Sequence, residues 1–141
     1  MKKQLLFLTF LLFTCRFASA QPFVYIPDSS LRVILSGLNP NLIVGDSMDL
    51  ANPAITSTTT LTLIHSTVVN TSGIEYFINL DSIEAQSSSI QHIPAWPPNL
   101  RVMLVCCCDI DSLPPFPASL QTMDVSFNHT LKTIPPLPPT K

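Results

Sequence analysis

Three consecutive cysteines, Cys106, Cys107 and Cys108, are the side chains of this sequence best suited to chemistry. Cys107 with His129 would make a nucleophile and its base, but the sequence indicates no third residue to orient the imidazole. Adjacent thiols lack the two-residue gap and second ligand pair of a tetrahedral zinc site. A disulfide between neighbours is strained, since bridged α-carbons usually lie about 5.5 Å apart. The sequence therefore favours packing roles, with no catalytic residue, metal site or cofactor; an intermolecular disulfide is the main alternative.

The cysteines belong to the second of three near-copies of one 20-residue segment. The copies open at Leu80, Leu100 and Leu120 and read LDSIEAQSSSIQHIPAWPPN, LRVMLVCCCDIDSLPPFPAS and LQTMDVSFNHTLKTIPPLPPT, the last with one extra residue. A looser unit, TTTLTLIHSTVVNTSGIEYFIN, begins at Thr58. A fixed period of this length is typical of a solenoid, in which each coil buries the face of its neighbour. The predicted coils are residues 58–79, 80–99, 100–119 and 120–140.

Each copy begins with a pattern that predicts a short strand. With the opening leucine as position one, positions four and six are apolar, which is the period of a strand with one buried face. Position nine holds a small polar or thiol side chain, which we expect to turn inward and bond the backbone of a bend. These inward residues are Ser88, Cys108 and Asn128. Cys106 and Cys107 are then expected on the strand surface or in the bend.

Proline dominates the second half of each copy. Ten of the 14 prolines lie between residues 94 and 139. Since proline lacks the backbone donor of a sheet and breaks helices, this half predicts extended, polyproline-like backbone. Trp96, Phe116 and Leu137 stand between the prolines, and we expect them to point inward and close the core.

The first 20 residues carry the pattern of a secretory signal. Lys2 and Lys3 precede an apolar run from Leu5 to Phe13, and Ala18-Ser19-Ala20 is a small-residue cleavage site. The run is shorter than the roughly 20 apolar residues of a membrane span. Export is therefore predicted, with the product secreted or held at the cell surface. The alternatives are a buried N-terminal helix and a lipoprotein acylated at Cys15.

Residues 21–57 do not follow the period and are predicted to form an N-terminal cap with one short helix. Asp28 can accept hydrogen bonds from the free amides of a first helical turn, and Gly37 with Asn39-Pro40 ends the helix. One face is apolar and consists of Leu31, Ile34, Leu35 and Leu38. Such a helix would cover the exposed end of a repeat stack. An unrelated loop with a helical turn is the alternative.

The copies resemble leucine-rich repeats in their short, proline-rich bacterial form, whose units read L-x-x-L-x-L-x-x-N-x-L-x-x-L-P-x-L-P. The match is close in LQTMDVSFNHTLKTIPPLPP and clear in LRVMLVCCCDIDSLPPFP, where Cys108 takes the asparagine position. The leader, IPDSSL and SGIEYFINL are similar to exported bacterial proteins of this family. The resemblance implies a mostly β solenoid of the α/β type: a right-handed arc with a parallel sheet on its concave side, extended proline-rich segments on its convex side and a short capping helix. It also implies a protein-binding module.

Some features of the family do not carry over. The run from Asn39 to Asp49 lacks the alternating oxygen ligands of a calcium loop, so we predict no calcium there. Bacterial effectors of the proline-rich form attach a ubiquitin-ligase domain after the repeats, whereas this chain stops at Lys141. It stops where another opening leucine would stand, so we expect the repeats to lack a C-terminal cap.

The charge of the chain disfavours two classes of partner. From residue 21 onward, nine carboxylates outnumber four cations, which gives a net charge of −5. No basic patch could displace phosphate counterions, so we expect neither nucleic acid nor an anionic membrane as partner. No second apolar stretch could cross a membrane. The sequence does not indicate an oligomeric state.

The outward side of the predicted sheet is the candidate binding surface. Val102, Leu104 and Phe127 would form an exposed apolar patch there, rimmed by carboxylates as at many protein interfaces. Strand propensity alone is the alternative explanation for Val102 and Leu104. The candidate binding residues are Glu84, Val102, Leu104, Cys107, Asp124 and Phe127.

The size of this surface bears on its function. Four strands cover a flat area of about 330 Å², whereas a stable interface takes about 800 Å² from each partner. Binding must therefore also use loops and the cap, or belong to a longer protein. The sequence predicts a secreted or surface-exposed module that binds an unidentified protein and performs no catalysis. The alternative is a truncated remnant of a larger repeat protein with no independent function.

Overall fold

The computed structural model describes residues 22–139, so the predicted signal segment 1–20, including Cys15, lies outside the described residues. The described chain is a mixed α/β structure with two sheets and few helices. Its first part consists of β1 (Phe23–Tyr25), α1 (Ser29–Leu38), β2 (Ile43–Val44), β3 (Ser47–Asp49) and α2 (Ala54–Ser57). Its second part consists of β4 (Thr60–Thr62), a 3₁₀ turn (Ile74–Tyr76), β5 (Ser82–Glu84), β6 (Val102–Leu104) and β7 (Thr122–Asp124).

Helix α1 begins where the capping residue indicates. The carboxylate oxygen Oδ1 of Asp28 accepts a hydrogen bond from the Leu31 amide at 2.9 Å, which satisfies a donor of the first turn. Leu31 and Leu35 are fully buried, whereas Leu38 at the helix end is 40% exposed. Within residues 22–139, no helix is both long and apolar enough to cross a membrane.

The N-terminal part has two elements that no pattern in the sequence indicated. One is a three-stranded antiparallel sheet with the order β1-β3-β2, in which Val24 pairs with the buried Met48. The other is the single turn of α2, whose Ala54 amide donates to the side chain of Asn52 at 3.0 Å. Between residue 22 and the parallel sheet there are therefore two helices where one was expected, because a side-chain acceptor at Asn52 starts a second one.

The predicted parallel sheet is confirmed. It has the order β4-β5-β6-β7, and all its neighbouring strands are parallel. The register joins the central residues of the strands in one row, Leu61, Ile83, Met103 and Met123. The first three are at most 2% exposed, and this row is the inner face of the sheet. A 20-residue spacing between paired residues from β5 to β7 leaves each connection enough chain to return to the start of the next strand.

Glycine is required where the two parts of the chain meet. Gly73 has a backbone φ of 113°, a conformation that residues with a Cβ rarely adopt. A Cβ atom at this position would also clash with the Cδ1 atom of the buried Ile26. The core then runs without interruption from α1 and β3 into the inner face of the parallel sheet.

The prediction that Trp96, Phe116 and Leu137 all point inward is wrong for Leu137. Trp96 is 7% exposed and Phe116 is half-buried, but Leu137 is 64% exposed. Ile134 behaves in the same way, at 53% exposed. The physical reason is that no described strand lies beyond β7, so apolar side chains of the last segment have nothing to pack against on that side.

Candidate binding surface on the parallel sheet

The outer face of the parallel sheet carries two rows of side chains that turn away from the core. Strand alternation requires this, since the residues between them form the buried inner row. Ladder pairing gives one row of Thr60, Ser82, Val102 and Thr122. It gives a second row of Thr62, Glu84, Leu104 and Asp124. The side chains in both rows are half-buried or exposed.

Leu104 lies between two carboxylates in the second row. Its ladder partners are Glu84 on β5 and Asp124 on β7. Side-chain and backbone hydrogen bonds from Ser126 lower the pKa of Asp124 below its ordinary value, and burial opposes this only weakly. The Ser126 amide donates to Asp124 Oδ1 at 2.9 Å. The outer face therefore has an apolar centre, Val102 and Leu104 on β6, with a negative side chain on each neighbouring strand.

The turn after each strand of the parallel sheet contains one residue in the left-handed backbone conformation. These four residues are His65, Ser87, Cys107 and Phe127, with φ values of 53°, 51°, 58° and 56°. All four are exposed. The conformation costs an L-residue about 1–2 kcal/mol, and none of the four is glycine or asparagine. Only their constant position, eighth in the copies, could have indicated this turn from the sequence.

Hydrogen bonds between successive turns hold this column of residues in place. The amide of Ser87 donates to the Cys106 carbonyl at 3.2 Å, and the amide of Cys107 donates to the Ser126 carbonyl at 3.0 Å. Each left-handed residue therefore continues the parallel ladder past the end of its strand. Its side chain stands at the edge of the outer face.

Beneath the turns, the ninth residues point inward as expected. Ser88, Cys108 and Asn128 are 6%, 4% and 8% exposed. The Asn128 side-chain Nδ2 donates to the carbonyl oxygens of Val105 at 2.8 Å and Val125 at 2.9 Å. Its Oδ1 is buried and has no hydrogen-bond partner among the described residues. Cys108 and Asn128 each bond a carbonyl of the preceding segment, and Ser88 bonds the thiol of Cys108.

A shallow depression of about 370 Å³ lies beside the turns that follow β6 and β7. Its lining residues are Cys107, Cys108, Asp109, Phe127 and His129. The rings of Phe127 and His129 pack edge-on, with their centroids 6.5 Å apart. The structure therefore brings Cys107 and His129 to one depression. No hydrogen bond described within residues 22–139 joins them.

The three neighbouring thiols are all free. Burial raises the pKa of the Cys106 thiol, and the adjacent Cys107, the Asp124 carboxylate and Cys108 raise it further. A raised pKa keeps Cys106 protonated at neutral pH, where a nucleophile or metal ligand needs a thiolate. In the described part of the chain, no group of three His, Cys, Asp or Glu side chains is placed to hold a metal ion.

A polar row at the start of the strands was missed from the sequence. The Arg101 guanidinium forms an ion pair with Asp81 at 3.3 Å and donates to the Gln121 side chain at 3.0 Å. The three residues hold position two of successive copies, so their complementary types at a 20-residue spacing were the available signal. Arg101 and Gln121 also border a larger depression of about 570 Å³ beside Pro138 and Pro139.

The structure places the six predicted binding residues in two groups. Glu84, Val102, Leu104 and Asp124 lie together on the outer face. Cys107 and Phe127 lie in the turns after β6 and β7, where Phe127 is 67% exposed. The chain matches no known family model, no curated protein and no solved structure.

Proposed function

We propose that this chain is a short leucine-rich-repeat solenoid, exported from a bacterial cell, that binds a protein through the outer face of its parallel sheet and performs no catalysis. Recurrence of the same contacts one copy later supports the repeat architecture. Met103 pairs with Ile83 as Met123 pairs with Met103. Cys108 bonds the Ala85 carbonyl as Asn128 bonds that of Val105. The secretory pattern of residues 1–20 supports export.

The observation that carries the binding proposal is the position of Leu104 between Glu84 and Asp124. Neighbouring strands lie about 4.8 Å apart, so the two carboxylates flank the leucine at roughly 10 Å from each other. This arrangement suits a partner segment that crosses the strands with one apolar side chain between two cationic ones. The acidic net charge of the chain would steer such a partner toward the face.

The protonation of Cys106 and the surroundings of Cys107 support a function without catalysis. Cys106 has a raised pKa, for which burial is the main cause. Cys107 is exposed beside His129, and nothing described in the structure orients that imidazole toward the thiol. A nucleophilic pair needs its base held within hydrogen-bond reach.

The area of the face sets the expected affinity. The sheet alone, with four strands of three residues, provides about 190 Å² of flat area, and the turn residues Cys107 and Phe127 extend it. This is below the roughly 800 Å² per partner of a tight interface. We therefore expect dissociation constants in the micromolar range, and a dependence on salt because carboxylates at the rim contribute.

Selection of ligands from a library of random displayed peptides tests the proposal. The purified chain is the target, and each selected peptide is then measured against Leu104→Ser and against Val33→Ser, a control at a 73% exposed position of α1. We expect peptides with an apolar residue between two cationic ones, weakened at least about 10-fold by Leu104→Ser and unaffected by Val33→Ser. Peptides that bind Leu104→Ser as tightly as the unchanged chain would overturn the proposal.

A further inference from the structure

Strand β7 has only one neighbour, β6, among the described strands. The Thr122 amide donates to the Arg101 carbonyl at 3.0 Å, and the Asp124 carbonyl accepts from the Val105 amide at 2.8 Å. These two residues thus turn their backbone groups toward β6. Since alternate residues of a parallel strand face opposite sides, the N–H and the C=O of Met123 both face the open edge.

Gln121 and Val125, two positions before and after Met123, add one group each to this edge. Directly before β6, the Arg101 carbonyl faces β7 and accepts from the Gln121 and Thr122 amides. The Gln121 carbonyl is its equivalent 20 residues later, so it faces the open edge of β7. The Val105 amide donates to the Asp124 carbonyl of β7. The Val125 amide is its equivalent 20 residues later, so it also faces the open edge. Neither the Gln121 carbonyl nor the Val125 amide has a hydrogen-bond partner within residues 22–139.

An apolar surface lies behind this edge. We call it the end face, and it consists of Met123, Val125, Leu131, Ile134 and Leu137. The first three are half-buried, and the last two are 53% and 64% exposed. Their counterparts in the preceding segment include Met103, Val105 and Ile110, which are at most 1% exposed. The side chains of the end face are therefore core residues by type and position, with one side uncovered.

We propose that a second copy of this chain covers the end face, with the two β7 strands paired antiparallel about a twofold axis at Met123. The free groups are an acceptor at Gln121, an acceptor and a donor at Met123, and a donor at Val125. When a second β7 runs antiparallel with its Met123 opposite the first, each donor on one strand faces an acceptor on the other. A twofold axis there lets Met123 exchange two hydrogen bonds with the partner's Met123, and lets each Val125 amide donate to the partner's Gln121 carbonyl.

The opposite end of the sheet does not offer this docking site. At β4, Leu61 and Leu63 are 2% and 1% exposed, because the N-terminal part of the chain covers them. A head-to-tail stack of β7 on β4 would therefore have no uncovered apolar face to meet. The isologous pairing joins two open apolar faces instead.

The outer face is compatible with the pairing. In this register Asp124 lies opposite the partner's Thr122, so the carboxylates are not directly opposed. The inner faces of both sheets remain on one side, and the two sheets become one of eight strands. The pairing depends only on the end face and not on what the outer face binds.

The area of the end face sets the expected strength of the dimer. One 20-residue turn of extended backbone, with its outward side chains, spans roughly 500 Å². Two such faces together bury on the order of 1,000 Å², near the lower limit of specific interfaces. We therefore expect a concentration-dependent dimer with a micromolar dissociation constant.

Sedimentation velocity over a dilution series, with and without reductant, tests the proposal. We expect a monomer–dimer equilibrium for the unchanged chain. Ile134→Lys and Leu137→Lys place a charge on the end face at exposed positions, and each should raise the dissociation constant at least about 30-fold. Val33→Lys, at a 73% exposed position of α1, is the control and should leave it unchanged.

Three outcomes would overturn the proposal. They are a monomer at every concentration, a dimer that Ile134→Lys and Leu137→Lys leave intact, and a dimer that reductant abolishes. The last result would assign association to the exposed thiol of Cys107 instead. Circular dichroism of each variant establishes that its fold is retained, and Val125→Pro, which removes one edge amide, gives an independent variant with the same expectation.

Discussion

The thiol of Cys108 lies 3.0 Å from the carbonyl oxygen of Ala85, which precedes it by 23 residues. Asn128 makes the same contact with Val105, 2.8 Å away and again 23 residues earlier. A weak sulfur donor and a strong amide donor therefore hold equivalent positions beneath successive turns. The contact fixes the bend at the end of each strand, and the bend places the side chains that edge the outer face.

Removal of the Asn128 amide should destabilise the chain. Asn128→Ala loses the hydrogen bonds to the Val105 and Val125 carbonyls, the first of them buried, so we expect the free energy of unfolding to fall by about 1–3 kcal/mol. Chemical denaturation measures this change. Asn99→Ala is the matched control, since Asn99 also donates to a backbone carbonyl but in an exposed position. Equal losses in the two variants would contradict the role of the buried contact.

Phe127→Asn should raise stability and weaken binding together. Asparagine tolerates the left-handed conformation better than phenylalanine, so we expect a gain of about 0.5–1 kcal/mol in the free energy of unfolding. Loss of the exposed ring should lower the affinity of the outer face for its ligands. Thermal melting and peptide binding measure the two effects, and Lys132→Asn, at an exposed position after the turn, is the control. A free energy of unfolding no higher than that of the unchanged chain would be inconsistent with strain at Phe127.

Alkylation of Cys106 should require a higher pH than that of an unperturbed thiol. Burial, Cys107 and Asp124 all raise its pKa, and the thiolate is the reacting form. Mass spectrometry of the chain after brief iodoacetamide treatment across a pH series gives the profile for this site. Asp124→Asn removes one of the negative charges and should move the profile to lower pH. A shift in the opposite direction would exclude the electrostatic explanation.

Asp28 should make stability depend on pH in the acid range. Burial raises its pKa, but the amides of Leu31, Val69 and Asn70 stabilise the carboxylate more, so its pKa lies below the ordinary value of an aspartate. A carboxyl with a lowered folded-state pKa contributes stability above its unfolded pKa and loses it as the pH falls through the folded value. The unchanged chain should therefore lose stability steadily below about pH 4.

Two variants isolate this contribution. Asp28→Ala removes the helix cap and the link to the loop at residues 69 and 70, and we expect a loss of about 3 kcal/mol at neutral pH. Asp28→Asn keeps one side-chain acceptor and should lose less. Both should reduce the acid dependence seen in urea denaturation between pH 2 and pH 7. An unchanged dependence in Asp28→Asn would mean that other groups produce it.

Residue periodicity was sufficient to predict some structural elements and not others. Apolar alternation and a 20-residue spacing led to the parallel sheet, and small residues at position nine led to the inward turn of Asn128. The left-handed turns were not predicted, because Phe127 and Cys107 are residues that ordinarily avoid that conformation. The exposure of Leu137 was not predicted for another reason. Its environment depends on what lies beyond β7, which no local pattern encodes.

The candidate surface was predictable in composition but not in arrangement. Strand alternation placed Leu104 on the outer face, and ladder pairing supplied the carboxylate on each side. The ion pair of Arg101 with Asp81 required knowledge of which strands are neighbours. The depression between Cys107 and His129 required the geometry of two successive turns.

Methyl-resolved NMR tests the central claim, that the outer face of the parallel sheet is the binding surface. Leu104 and Met103 are adjacent on β6 and belong to opposite faces, with Met103 fully buried. On addition of a selected peptide, we expect large shift changes and intermolecular contacts at the Leu104 and Val102 methyl groups, and small changes at Met103. Unchanged Leu104 and Val102 methyls, with the largest shifts at Val33 on α1, would contradict the account.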